Sequence, residues 1–172
     1  MPIFCEYGFG PALPWVSGLP HGRLLEYICS KPHFDEIQAA EYMRQLLDVV
    51  QYLHNCRIAH LDIKPENLLV EVGAMGTGLK LTDFGDARHI YNNYYIHPIM
   101  GNTEFMSPEL ISGTPVGLLT DIWSIGIIVY VLLSGVSPFL DESQEETCSN
   151  IVRNDYCFPM STSRASPRMP RT

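Results

Sequence analysis

The sequence predicts a mainly α fold with short β-hairpins, an α+β arrangement. Three observations predict it. A run with apolar residues every three or four positions extends from Asp35 to Asn55, and a second, twelve-residue apolar run extends from Ile122 to Leu133. Between them lie pairs of short β-prone runs joined by glycine-rich links.

Residues 1–20 carry four prolines and three glycines without sustained periodicity and read as an irregular lead-in. Gly22 to Cys29 (GRLLEYIC) reads as a short helix closed by Ser30-Lys31-Pro32. The long helix that follows has Asp35 as N-cap, Glu36 in the first turn and Gln38 at the capping-box position. Its expected buried stripe is Ile37, Ala40, Met43, Leu47, Val50 and His54. Arg57–Ala59, Leu68–Val72 and Leu79–Leu81 are the short strand-like runs, with Gly73–Gly78 as a hairpin link. Residues 86–118 show little regular pattern, and a loop of that length in a compact domain is usually functional. Asp121 is expected to cap an apolar helix running to Leu133 that belongs inside the core, followed by an amphipathic segment from about Glu142 to Arg153. The polar, Pro- and Arg-rich end, residues 160–172, is expected to be a disordered tail.

At 172 residues the chain supports one hydrophobic core. Its net charge of −8 argues against a general nucleic-acid or anionic-membrane binder. Five cysteines without a CxxC pair fit free thiols, the start lacks a signal-peptide pattern, and the longest apolar run is short of a bilayer span. A cytoplasmic location is the expectation.

Chemistry concentrates between His60 and Gly85. HLDIKPENLL is followed, sixteen residues after Asn67, by Asp83-Phe84-Gly85, and Ser107-Pro108-Glu109 comes 24 residues after Asp83. Taken singly these are ordinary surface residues; the joint spacing is specific. It resembles the catalytic and metal-binding loops of eukaryotic protein kinases. GNTEFMSPEL resembles the end of an activation segment, and DIWSIGIIVYVLLSGVSPF the large central helix of that fold. The likeness covers roughly residues 20–159 and belongs to the calcium/calmodulin-kinase-like group. VQYLHNCRIAHLDIKPENLL and GVSPFLDESQEETC read most like the Trio/kalirin kinases, near the myosin light chain and death-associated kinases.

The resemblance implies roles. Asp62 would accept the substrate hydroxyl's proton, and Lys64, two residues on and pointing to the same side, would balance the γ-phosphate's charge. Glu66, Asn67, Leu69 and Asp83 would contact ATP, with Asn67 and Asp83 holding Mg²⁺ through oxygen. Gly85 would supply unusual backbone angles behind Asp83. The KPEN wording resembles serine/threonine rather than tyrosine kinases, so the implied partners are ATP and a protein substrate. Exchange-factor domains would flank it in a longer product. Tyr91, Tyr94 and Tyr95 fall in the implied activation segment, as phosphorylation sites or, more commonly, as exposed or packing tyrosines.

Departures from the family pattern bear on activity. Leu61 replaces the arginine that would pair with a phosphorylated activation loop. Asn102 replaces a threonine, Arg23 a ribose-binding glutamate, and Ser107 an alanine. No glycine-rich phosphate loop or VAIK-type lysine precedes the motif, and no segment after it supplies the usual arginine for Glu109 unless Arg164, Arg168 or Arg171 does so. The expected domain organisation is therefore a hinge remnant at 1–20, a partial kinase domain (the large lobe, with the small lobe largely absent) at 21–159, and a tail at 160–172. A kinase truncated at both ends and an inactive lobe acting as an interaction module both remain open.

Overall fold

A computed structural model describes residues 22–31, 34–73, 76–91 and 103–156. The expectations for residues 1–21, for Asn102, Tyr94 and Tyr95, and for the tail lie outside these. The elements are α1 (Leu24–Cys29), α2 (Glu36–Asn55), β1 (Ile58–Ala59), β2 (Leu68–Gly73), β3 (Gly76–Leu81), β4 (Arg88–His89), α3 (Pro108–Ile111), α4 (Leu118–Ser134) and α5 (Gln144–Arg153), with 3-10 turns at Pro65–Asn67 and Thr103–Phe105. The mainly helical fold with short hairpins is as the sequence predicts.

Helix starts follow local chemistry. The Asp35 side chain accepts the Gln38 N–H at 2.9 Å at the start of α2, a cap that contributes about 1 kcal/mol. Ser107 and Ser143 cap α3 and α5 in the same way. In α1 the Glu26 carboxylate reaches back to the Arg23 N–H at 3.3 Å. Gly135, at φ 79°, ends α4 in the left-handed conformation that glycine adopts without strain.

Two small antiparallel sheets fix the connections. β2 pairs with β3 from Leu68↔Leu81 to Gly73↔Gly76, so the strands reach further into the link than the sequence suggests. β1 pairs with β4 through Ile58↔His89 and Ala59↔Arg88. Gln45 of α2 closes the outer edge of β3: its Oε1 accepts the Leu79 N–H at 2.8 Å and its Nε2 donates to Thr77 O at 3.3 Å.

The main core joins α1, α2, β2, α4 and α5 through Leu24, Leu46, Val50, Leu68, Ile128, Val131 and Ile151, all nearly inaccessible. A smaller one gathers Ala59, Leu61, Ile90, Leu110 and Val116. Among the described residues no helix is long and apolar enough to cross a membrane.

Three expectations are corrected. The buried stripe of α2 is Ala39, Tyr42, Met43, Leu46, Val50 and Leu53, whereas Ile37 is 80% and Leu47 46% exposed and Ala40 is exposed. Both stripes share Met43 and Val50; packing in the core with α4 and the β2–β3 hairpin selects the set containing Tyr42 and Leu46. Second, the segment 86–118 holds β4, a 3-10 turn and α3, elements too short to carry a periodic signal. Third, α4 begins at Leu118 with Gly117 as N-cap, which places Asp121 inside the helix, fully buried. That helix is also not enclosed on all sides: Leu119, Ile122 and Leu133 are exposed.

Candidate active site

The β1–β4 pairing makes the site possible. β1 leads into His60 and the loop to Asn67, while β4 follows directly on Asp83–Gly85, so pairing the strands sets the two loops side by side. Asn67 O then accepts both the backbone N–H of Thr82, at 2.9 Å, and its hydroxyl, at 3.1 Å.

Within the first loop, Lys64 Nζ donates to both carboxylate oxygens of Asp62, at 2.9 and 2.8 Å. Asn67 Nδ2 donates to Asp62 Oδ2 and to Asp62 O, each at 2.8 Å. Asp62, Lys64 and Asn67 thus form one hydrogen-bonded set, with Asp62 and Lys64 partly exposed at 23% each. Since Asn67 spends its amide N–H groups on Asp62, its Oδ1 is left as the acceptor of that side chain.

Asp83 is exposed and takes φ 61°, a left-handed conformation that aspartate tolerates better than most residues. Its Oδ1 accepts one long bond, 3.3 Å, from the Gly85 N–H. The unusual backbone angle expected at Gly85 therefore falls on Asp83; at Gly85 a Cβ would stand 3.2 Å from Asp83 Oδ1, a tight contact that would press on that carboxylate. Glu66 lies in the 3-10 turn with its Oε2 buried and unpartnered. Leu69 is buried on β2, where its backbone bridges to Arg23. Tyr91 is exposed and stacks on His89 with ring centroids 3.9 Å apart.

A layer of support beneath the loops was not legible from the motif. His60 is fully buried; its Nδ1 accepts the Asp62 N–H at 3.3 Å, so Nε2 carries the hydrogen and donates to Thr82 O at 3.1 Å. Burial pushes the His60 pKa below its ordinary 6.5, consistent with a neutral ring, and Phe84 packs edge-on against it at 4.8 Å. Below His60, the buried Asp121 carboxylate accepts the His60 N–H (2.9 Å, Oδ2), the Leu61 N–H (2.9 Å, Oδ1) and a hydrogen from His54 Nε2 (2.8 Å, Oδ2). Leu61 is held there at φ 66°. A single acid in an otherwise apolar helix is the signal that points to Asp121: a lone buried carboxylate must find donors. Glu109 finds Thr120, whose hydroxyl donates to it at 2.8 Å.

This arrangement, an acid held by a lysine and an amide beside a second, exposed acid on a glycine turn, is suited to positioning a hydroxyl and oxygen-ligated cations. The chain belongs to the protein kinase domain family, which it matches over residues 16–171. Among curated proteins it is 42% identical over 147 residues to death-associated protein kinase 2 of Mus musculus and of Homo sapiens, and 40% identical over 146 residues to death-associated protein kinase dapk-1 of Caenorhabditis elegans. Each alignment takes in 85% of this chain, but the chain spans only 39%, 39% and 10% of those relatives.

Proposed function

We propose that this chain carries the hydroxyl- and metal-positioning half of a serine/threonine protein kinase of the calcium/calmodulin-kinase-like group, of the Trio/kalirin type. Residues 21–159 would be the kinase-like unit. The observation that carries this reading is the bonded set Asp62–Lys64–Asn67 beside Asp83. Asp62, oriented by four short hydrogen bonds to its carboxylate and carbonyl, accepts the proton of a serine or threonine hydroxyl and aims its oxygen. Lys64 balances negative charge at the same point.

Asn67 and Asp83 fit Mg²⁺. Asn67 Oδ1 and the oxygens of an exposed carboxylate are hard donors, and Mg²⁺ commonly binds one or two protein oxygens with water and substrate phosphate completing its shell. Among the described residues there is no cluster of three or more His, Cys, Asp or Glu to hold a metal in a closed protein cage. When bound, the cation would neutralise phosphate charge. Leu69 supports the nucleotide from β2. Glu66, in the 3-10 turn beside Asn67, is the further residue that the reading assigns to nucleotide contact.

The test is Mg·ATP binding by calorimetry together with phosphate transfer to a basic serine peptide, for this chain and for Asp83→Ala. Transfer abolished in the variant supports the reading; transfer that survives it removes Asp83 from the site. No nucleotide binding in either leaves a second reading, an inactive lobe that serves as a protein-interaction module. The apolar groove of ≈ 540 Å³ along α4, lined by Leu119, Ile122, Trp123, Tyr130, Phe139 and Tyr156, favours that alternative.

A further inference from the structure

We propose that the apolar groove along α4 is covered by this chain's own continuation, with Phe158 and Met160 seated in it beside Tyr156. Residues 157–160 lie outside the described residues, and such a cover requires no phosphate transfer. The groove starts as a sequence pattern. Leu119, Ile122, Trp123, Gly126, Ile127 and Tyr130 recur every three or four residues and so share one face of α4. Ile125, Ile128, Val131 and Leu132 serve the main core, whereas Leu119 is 80% and Ile122 43% exposed. Gly126 leaves a notch in this face: a Cβ there would meet nothing within 4 Å among the described residues. Trp123 Nε1 is buried without an acceptor among the described residues, a donor that a passing backbone carbonyl can satisfy.

The path of the chain after α5 selects the occupant. Asn154, left-handed at φ 53°, ends α5, and both it and Tyr156 form part of the groove wall. Tyr156 packs edge-on against Phe139 with ring centroids 6.0 Å apart, and Phe139 stacks on Trp123 at 5.6 Å. The next residues, Cys157, Phe158, Pro159 and Met160, therefore set out from the groove itself. In extended backbone alternate side chains share a side, so Tyr156, Phe158 and Met160 make one apolar edge, and Pro159 disfavours helix at Phe158. Four extended residues span about 13 Å, and α4 runs about 16 Å from Leu119 to Tyr130, so the edge fits the face. Tethering at Tyr156 gives the segment an effective concentration of about a millimolar at the groove, an advantage over a free partner. Residues 161–172 add three arginines and no acid to a chain of net charge −8, so the rest of the segment is attracted to the body. Any partner for the groove then binds in competition with this segment.

The experiment uses the full chain carrying Trp15→Phe, which leaves Trp123 as its single tryptophan. Acrylamide quenching of Trp123 is compared with that in Phe158→Ser/Met160→Ser and in Met169→Ser, which makes the same kind of change beyond the two anchors. The expected result is severalfold stronger quenching in the double variant and no increase with Met169→Ser. Equal quenching in all three chains overturns the proposal, and so does an equal increase with Met169→Ser. Protection of Trp123 that weakens when the parent chain is diluted assigns the cover to a second copy and overturns it as well. If the double variant loses its cooperative melt, the parent chain decides alone. Nuclear Overhauser contacts between the Phe158 ring and the Trp123 indole are then expected, and their absence from an assigned spectrum overturns the proposal.

Discussion

Replacing Asp121 tests whether the loops are held from below. In the native fold its carboxylate accepts three hydrogens from buried or nearly buried donors, the N–H groups of His60 and Leu61 and Nε2 of His54. Asp121→Ala strands all three. At about 1–2 kcal/mol for each unmet donor the cost is roughly 3–6 kcal/mol. A domain's whole stability is about 5–15 kcal/mol, so the alanine variant should be unfolded or close to it. Asp121→Asn is the more informative change. Its oxygen still accepts one N–H, and His54 can switch tautomer to accept from the new amide nitrogen, which leaves one N–H facing an NH₂ group. One unmet buried donor costs about 2 kcal/mol. With a urea m-value of about 2 kcal/mol/M, the midpoint of unfolding should fall by about 1 M. Asp48→Asn, an exposed acid on α2, is the control and should shift the midpoint little. A midpoint for Asp121→Asn within about 0.2 M of wild type would refute the claim that this carboxylate organises the loop.

Gln45→Ala should cost about 1–2 kcal/mol and speed amide exchange at Leu79, whose N–H loses its acceptor at the edge of β3; Gln45→Glu, which keeps the accepting oxygen, should retain much of that protection. For His60 the sign follows from burial. Its folded pKa lies below the ordinary 6.5, so between the two values the unfolded chain binds more protons. Its share of stability is therefore full above about pH 6.5 and declines as pH falls below it, by at most about 1.4 kcal/mol per pH unit inside that window. Urea melts from pH 7.5 to 5.5 should show a shallower loss for His60→Leu than for wild type; parallel losses would remove His60 as the cause.

How much of the molecule was legible depended on whether its signal was local. Capping chemistry is local: Asp35 accepts from Gln38 three residues on, and helix α2 starts where the sequence puts it. Lys64 lies on the same side as Asp62, as a two-residue spacing in an extended loop implies, and the ion pair between them is short. The α2 stripe was misread because Leu46 and Leu47 are chemically equal and adjacent. Only the presence of α4 and the β2–β3 hairpin on one side makes Leu46 nearly inaccessible and leaves Leu47 46% exposed. Asp121 was misread for a related reason. An aspartate near the start of an apolar helix looks like a cap, and its true donors lie 60 and 61 residues away in the chain.

The sequence by itself determined the kind of fold, the loops that carry the chemistry and the residue types within them. Periodicity, capping and motif spacing act over a few residues and need no partner. Tertiary structure alone decided which loop faces which, through the two-residue pairing of β1 with β4 and the Asn67–Thr82 bonds. It also decided which carboxylate is buried as a support and which stays exposed: Asp121 sits beneath the loop with three donors, and Asp83 sits at its rim with one long one. The physical reason is that a buried carboxylate keeps its charge only where the folded chain brings donors to it, and those donors come from α2, the loop after β1 and nowhere near Asp121 in sequence.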